Sequence, residues 1–248
     1  MLNLIQTEIA KLKRKKLLWV MLGIAVIVPA LVTYYAAGIP RQGPIMDSFK
    51  DFYRGSLTYM QLLILPCILG ILETMMFTDE YKNDTLKQLQ IIPVTKTQLL
   101  VSKISVSCLF SVVIMVFTGI LTIIGAIVAG GFPDITLKLI VRLLGLCVES
   151  GILIPIAQMP ITLIIVICKK DFAIPVVCTV AYTLIGQSLV TSDHIGIHPN
   201  TSMMKIIWYG NFEGVTMSGS VTVCIVSLAV IAVVCFITSI LILEKQNI

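Results

Sequence analysis

Three ionisable residues, Glu73, Arg142 and Glu149, lie inside long apolar runs of this 248-residue sequence. A charge that faces lipid costs a few kcal/mol, so each should face protein, water or the interface. Glu73 and Arg142 lie near the ends of their runs, so their side chains can extend to the interface and keep their charges in water. Glu149 lies deeper, two helical turns from Arg142 on nearly the same face, which predicts neutralisation between the two through water or a partner. Glu149 also suits proton coupling, although no second deep acid or histidine completes a relay.

Motifs for a chemical reaction are missing. There is no Gly-x-x-x-x-Gly-Lys-[Ser/Thr] phosphate loop, no His-Glu-x-x-His, no Gly-x-Ser-x-Gly and no Gly-x-Gly-x-x-Gly. His194 and His198 share a loop without nearby Cys or paired carboxylates, and the seven cysteines form no Cys-x-x-Cys pair. We therefore predict no catalytic residue and no metal site. Energy for uphill transport would have to come from a partner or from an ion gradient.

The elements that must position these residues are membrane-spanning helices. The chain is 57% hydrophobic and only 12% charged, with a mean hydropathy of +1.00, whereas soluble proteins carry about 25% charged residues. Its apolar runs have helical length and lack the ten-residue alternation of barrel strands. We predict one all-α membrane domain over residues 1–248. Its six spans are Leu17–Ala37, Leu57–Phe77, Ile104–Gly130, Leu139–Cys168, Ala173–Val190 and Val221–Leu243.

The distribution of positive charge predicts the orientation of these spans. Most of the 18 Lys and Arg residues fall on one side, in segments 11–16, 82–103, 169–170 and 245. The positive-inside rule then places both termini in the cytoplasm of a plasma-membrane protein. Contact with anionic lipid accounts for the net charge of +5, so we expect no nucleic-acid partner.

The amino terminus, residues 2–16, has the pattern of an interfacial helix. Leu2, Ile5, Ile9 and Leu12 recur at three- and four-residue spacing beside a basic stretch. Such a helix lies in the headgroup region with its apolar face toward the acyl chains. The alternative is a plain basic flank of the first span.

The connection between the second and third spans, residues 78–103, predicts a short amphipathic helix across the cytoplasmic mouth. Tyr81, Leu89 and Ile92 share one helical face. Pro93 ends this helix because proline removes a hydrogen-bond donor and restricts the preceding residue. Thr95 with Gln98 has capping-box spacing, so a new helix should begin there and continue through Lys103. The short helix is suited to receiving a push from a bound partner.

These two segments resemble the type-2 ATP-binding-cassette (ABC) export permeases. That family has six spans, an amino-terminal Glu-x-x-Lys-Leu-Lys-Arg helix and a connection similar to Glu-x-x-x-Gly-Thr-Leu-x-x-Leu-x-x-x-Pro-Val-x-x-x-x-Leu-Leu-x-x-Lys. The sequence departs from the pattern at Asp84, where the family usually has Gly. The matching residues are Glu8, Lys11, Leu12, Lys13, Arg14, Glu80, Thr85, Leu86, Leu89, Pro93, Val94, Leu99, Leu100 and Lys103.

The resemblance implies a complex of two permease chains, identical or related, with two cytoplasmic ABC ATPase subunits. ATP and Mg would be bound in the ATPase and no cofactor by this chain. A permease of this size without a large outer domain is similar to the antimicrobial-peptide resistance group, including lantibiotic-immunity and bacitracin-type exporters. The residues expected to couple to the ATPase are Glu80, Tyr81, Thr85, Leu86, Leu89 and Pro93.

Two further regions are candidates for the permease interior or a gate. Pro155, Gln158 and Pro160 interrupt the fourth span, which predicts a bent helix that lines the interior together with Glu149. The exterior connection, residues 191–220, should form short helices that dip into the outer leaflet, with Trp208 and Tyr209 at the headgroup level. Two interpretations of that connection remain open, a gate and an interfacial anchor.

The function that this sequence predicts is the permease subunit of an ABC exporter of an antimicrobial peptide. An ion-coupled secondary transporter would need inverted repeats or paired deep acids, and neither is evident. A passive membrane anchor or assembly protein would need no coupling helix.

Overall fold

The computed structural model describes residues 2–13, 15–38, 48–82, 95–192, 195–212, 217 and 219–245. Regular structure in these residues is helical throughout, as predicted. Residues 83–94, which include Thr85, Leu86, Leu89 and Pro93 of the predicted coupling helix, lie outside the described part, as does His194. The described α-helices are α1 (Leu2–Lys13), α2 (Lys16–Gly38), α3 (Phe49–Tyr59), α4 (Leu65–Lys82), α5 (Lys96–Val128), α6 (Leu137–Ala157), α7 (Met159–Cys168), α8 (Ala173–Leu189), α9 (Pro199–Trp208) and α10 (Val221–Lys245).

Five described helical stretches are long and apolar enough to cross a membrane, which confirms the all-α membrane fold. They are Leu18–Gly38, Phe49–Tyr81, Lys96–Val128, Leu137–Ala157 and Val221–Lys245. The predicted fourth span is two helices, α6 and α7, that meet at Gln158, because Pro160 occupies the first turn of α7 and cannot continue the α6 hydrogen-bond ladder. The predicted fifth span corresponds to α8, which is 17 residues long.

The second span is longer than predicted and contains a π-helical turn. It begins at Phe49, where the Ser48 hydroxyl caps the helix by accepting from the Asp51 amide, and not at Leu57. The turn at Met60–Ile64 joins α3 to α4. A π turn inserts one residue into an α-helix, and such turns are frequent at functional sites.

The start of α5 confirms the predicted capping box. The Thr95 hydroxyl accepts from the Gln98 amide at 3.2 Å, and the Gln98 side chain accepts from the Thr95 amide at 3.2 Å. The helix then runs without interruption for 33 residues. Helix α5 is thus the central element against which α1, α2, α4 and α6 pack.

Glycines allow the closest helix contacts. A Cβ on Gly151 of α6 would lie 2.6 Å from the Val112 Cα of α5, and a Cβ on Gly125 of α5 would lie within 3.3 Å of the Thr33 Cβ of α2. Small residues at such positions let membrane helices approach closely without a hydrophobic driving force between them. Gly125 and Gly151 therefore mark surfaces where α5 packs closely against its neighbours.

Candidate coupling site and polar interior

Four charged side chains from three helices meet at the end of the bundle where α1 lies. We call them the basal cluster: Glu8, Lys11, Glu80 and Lys103. The Lys103 ammonium lies 3.2 Å from Glu8 Oε2 and 3.0 Å from Glu80 Oε1. Lys11 contacts the same carboxylates, at 2.6 Å from Glu8 Oε1 and 3.3 Å from Glu80 Oε1. Each cation bridges both acids, so the cluster ties α1 to the end of α4 and the start of α5.

Lys103 is the most deeply buried member of the cluster. Its side chain is 1% exposed, compared with 5% for Glu80 and 8% for Glu8. It also donates to the Met76 carbonyl at 2.8 Å and lies 5.1 Å from the centre of the Phe77 ring. Removing one partner from such a cluster leaves an uncompensated buried charge, which is strongly destabilising.

The charges on α1 are maintained at neutral pH. Burial alone would raise the pKa of Glu8, but the Lys103 charge and the hydrogen bond from Lys11 outweigh it and hold the pKa below its usual 4.5. Burial would likewise lower the pKa of Lys11, yet its hydrogen bond to Glu8 raises it above 10.5. Because the Glu8 pKa is lowered on folding, its contribution to stability is present above about pH 4.5 and lost in stronger acid.

The predicted coupling residues that the structure describes are buried inside the bundle. Glu80 belongs to the basal cluster, and Tyr81 packs with residues of α5, α7 and α10, such as Leu100, Ile165 and Leu243. Both lie in the last turn of α4 and not on a separate amphipathic helix. They therefore hold the end of α4, the last described helix before segment 83–94, while Lys103 holds α5, the next described helix.

Glu73 occupies an enclosed polar site between three helices. It accepts hydrogen bonds from the Ser107 hydroxyl of α5 at 2.7 Å and the Thr162 hydroxyl of α7 at 2.7 Å, and it is 2% exposed. The prediction that Glu73 snorkels to the interface is wrong, because both carboxylate oxygens find hydroxyl donors inside the protein. Among the described residues, no Lys or Arg forms an ion pair with it.

Trp208 is buried inside the protein and is 8% exposed. Its indole donates to Gln61 Oε1 at 3.2 Å, and the Gln61 amide donates to the Ser150 hydroxyl at 2.6 Å. Gln61 belongs to the π-helical turn, so that turn, α6 and the end of α9 share one buried polar network. Tyr209, the next residue, is 72% exposed and points outward. Of the two aromatics, only Tyr209 presents its ring outside the bundle, as an interfacial anchor requires.

His198 caps the start of α9 and packs against Tyr182 of α8. Its Nδ1 accepts from the Asn200 amide at 3.3 Å, and its ring lies 4.2 Å from that of Tyr182, whose hydroxyl donates to the Ala157 carbonyl at 2.6 Å. Burial lowers the pKa of His198 to about 4, so the imidazole is neutral at physiological pH. This arrangement gives His198 a capping and packing role.

Among the described residues, Arg142 and Glu149 form no direct ion pair. Arg142 donates to Asn211 Oδ1, through Nε at 2.7 Å and through a second short contact from its guanidinium. Glu149 is exposed, because the inward face of α6 is formed by residues at three- and four-residue spacing, such as Cys147, Ser150 and Gly151. Glu149 faces outward from this chain, so it could line an interior only between this chain and another subunit. Gln158 and Pro155, by contrast, are buried, and Pro160 is partly buried.

Sequence reasoning missed Lys103 and Gln61 as site residues. Lys103 was matched to a motif but assigned no partner, since its acids lie 95 and 23 residues away in the chain (103 − 8 and 103 − 80). Gln61 could have been identified from the sequence, because it is a polar residue inside an apolar run. Polar side chains in a spanning helix find internal partners, so its burial follows from its position.

The fold and the basal cluster together define a class of protein: a multi-pass helical membrane protein whose amphipathic first helix is joined by buried charges to two spanning helices. A family model described as ABC-2 family transporter protein matches residues 4–186. The chain belongs to this family. The match includes the whole basal cluster, Glu73 and the π-helical turn, and ends before α9. A comparison with curated proteins gave no significant match.

Family membership confirms the resemblance drawn from the sequence. The chain is a multi-pass plasma-membrane protein and the permease subunit of an ABC transporter, a transport subunit and not a catalytic one. Association with an ABC ATPase subunit follows from this membership.

Proposed function

We propose that this permease works as an exporter that removes a membrane-active antimicrobial peptide, of lantibiotic or bacitracin-like type, and so confers immunity or resistance. Two permease chains, identical or related, would assemble with two ATPase subunits that bind ATP and Mg on the cytoplasmic side. Both termini would face the cytoplasm. ATP-driven closure of the ATPases would then alternate access to the space between the two permeases.

The basal cluster is the observation that supports this mechanism. Residue 83 follows Glu80 by three positions (83 − 80), and α5, which follows the segment, begins seven residues before Lys103 (103 − 96), so buried charges lie in both flanking helices. A push on this segment would therefore move α1, α4 and α5 as one body instead of bending a single helix. Leu86, Leu89 and Pro93 would meet the ATPase, with Thr85 beside them, while Glu80 and Tyr81 transmit the displacement into the bundle.

Support for a peptide substrate is more general. The chain has little material outside the membrane, and the connections that the structure describes between α5 and α6 and between α7 and α8 are short. Recognition would then occur within the bilayer, which suits an amphipathic substrate that partitions into lipid. Gln61 and Trp208 offer the polar and aromatic contacts that such a substrate could use if the α9 end opens as a gate.

An ion-coupled secondary transporter is the second candidate, and Glu73 is the observation that favours it. A buried carboxylate without a cationic partner in the described residues is a proton-carrying group in many pumps. Its two hydroxyl partners also satisfy it structurally, and Glu73 has no acidic or histidine neighbour among its hydrogen-bond partners to continue a relay. We therefore place the ATP-driven mechanism first.

Co-purification of the ATPase with the permease tests the proposed contact. Leu89→Asp places a charge in the expected interface and should reduce the ATPase yield by at least tenfold, because a buried unpaired charge costs several kcal/mol. Leu89→Met keeps an apolar side chain of similar volume and should leave the yield near that of the wild type. Equal ATPase yields from both variants would refute the proposed contact.

A further inference from the structure

An apolar groove of about 280 Å³ runs between α1, α2 and α5 on the outside of the bundle. Its walls include Ile9 and Leu12 of α1, Trp19 of α2, and Val106, Leu109 and Val113 of α5. Leu109 and Val113 remain 52% and 58% exposed. From Val106 to Val113 the groove follows α5 for about 10 Å toward the middle of the spanning helix. Its shape and lining fit an extended hydrocarbon chain.

The charges beside the groove are divided between two faces. Lys11 and Lys15 turn toward α4, where Lys11 joins the basal cluster and Lys15 pairs with Asp79 at 2.7 Å. Lys13 lines the groove itself, and Lys16 begins α2 two residues before Leu18, which also lines the groove. Both are exposed, and neither forms a salt bridge with any residue in the described ranges. The groove therefore offers a slot for a hydrocarbon chain with Lys13 in its wall and Lys16 in the first turn of the adjoining helix, and neither lysine pairs with an acid in the described part of the chain.

We infer that this groove is a binding site for an anionic phospholipid, with one acyl chain along α5 and the headgroup phosphate at Lys13 and Lys16. A zwitterionic lipid fits less well because its own ammonium group competes with the two lysines for the phosphate. Each lysine near an anionic lipid surface contributes about a fivefold preference. The site would fix α1 at the membrane surface from the side opposite the basal cluster.

Tryptophan quenching by brominated lipid tests this inference on the intact permease in vesicles. The chain has two tryptophans: Trp19, which lines the groove and is 74% exposed, and Trp208, which is buried. The difference in quenching between wild type and Trp19→Phe isolates the groove signal. Brominated phosphatidylglycerol, present as a minor component in phosphatidylcholine, should quench Trp19 more than brominated phosphatidylcholine present as the same minor component in phosphatidylglycerol.

Lysine variants separate a specific site from ordinary lipid contact. Lys13→Gln combined with Lys16→Gln should abolish most of this preference, and Lys13→Gln alone should lower it about fivefold. Lys170→Gln, an exposed lysine in the α7–α8 connection, should leave it unchanged. Equal quenching by the two brominated lipids would show a groove that accepts any acyl chain and would overturn the inference. Absence of quenching by either lipid would show that protein covers the groove, which would also overturn it.

Discussion

Replacing Lys103 with methionine tests whether the basal cluster holds the bundle together. The side chain is 1% exposed and contacts Glu8, Glu80 and the Met76 carbonyl. Methionine fills similar volume but removes the two ion pairs that Lys103 forms with the buried carboxylates, to which the half-exposed Lys11 still binds. Breaking a buried ion pair from one side costs about 3–5 kcal/mol, and we expect a loss of this size in the free energy of unfolding.

The pair Lys15–Asp79 provides a matched control at the same end of the bundle. Its N–O distance is 2.7 Å, but the side chains are 44% and 39% exposed. Solvent screens such a pair, so Lys15→Met should cost less than about 1 kcal/mol. Adding Glu80→Gln to Lys103→Met should recover part of the loss, because one of the two buried carboxylates that lost Lys103 is then neutral.

Denaturation by sodium dodecyl sulfate in mixed micelles, followed by circular dichroism, measures these differences. The expected order of destabilisation is Lys103→Met first, the double variant second and Lys15→Met last. Equal costs for Lys103→Met and Lys15→Met would refute the reasoning, since burial would then have no effect on the strength of the cluster.

Three other predictions concern the interior and the topology. Glu73→Gln should cost less than about 1 kcal/mol while Glu73→Leu costs about 1–3 kcal/mol for each hydroxyl left unpaired, as measured by the same unfolding assay; equal costs would contradict the hydrogen-bonded site. Gly151→Ala should destabilise by about 1–3 kcal/mol because its Cβ meets the α5 backbone, whereas Gly145→Ala on the same helix has open space and should be neutral or stabilising. A membrane-impermeant thiol reagent on intact cells should label Tyr209→Cys and miss Lys170→Cys, and the reverse pattern would invert the proposed orientation.

Features that depend on residues close in sequence were predictable. The capping box at Thr95 and Gln98 involves residues three positions apart, so local chemistry determines the start of α5 whatever the rest of the chain does. The amphipathic helix α1 follows in the same way from spacing within a dozen residues. Membrane-spanning helices are also easier to predict from sequence than most elements, because the bilayer requires each span to be about 20 residues long and mostly apolar.

The roles of the buried charges were not predictable from local pattern. Glu73 looked peripheral and is enclosed, because its hydroxyl donors come from 34 and 89 residues further along the chain. Glu149 looked central and is exposed, because an apolar run does not reveal which face of α6 meets its neighbours. Trp208 was assigned to the interface by residue type, whereas its partner Gln61 lies 147 residues away.

The central claim, that ATP hydrolysis by a partner subunit drives this permease, is tested most directly in inside-out vesicles. The permease is reconstituted with its ATPase, and uptake of a labelled cognate peptide is measured with ionophores present to remove every ion gradient. The account predicts uptake that requires ATP and is lost when the ATPase is omitted. Uptake driven by an imposed proton gradient without ATP or ATPase would contradict it and would make Glu73 the centre of a different mechanism.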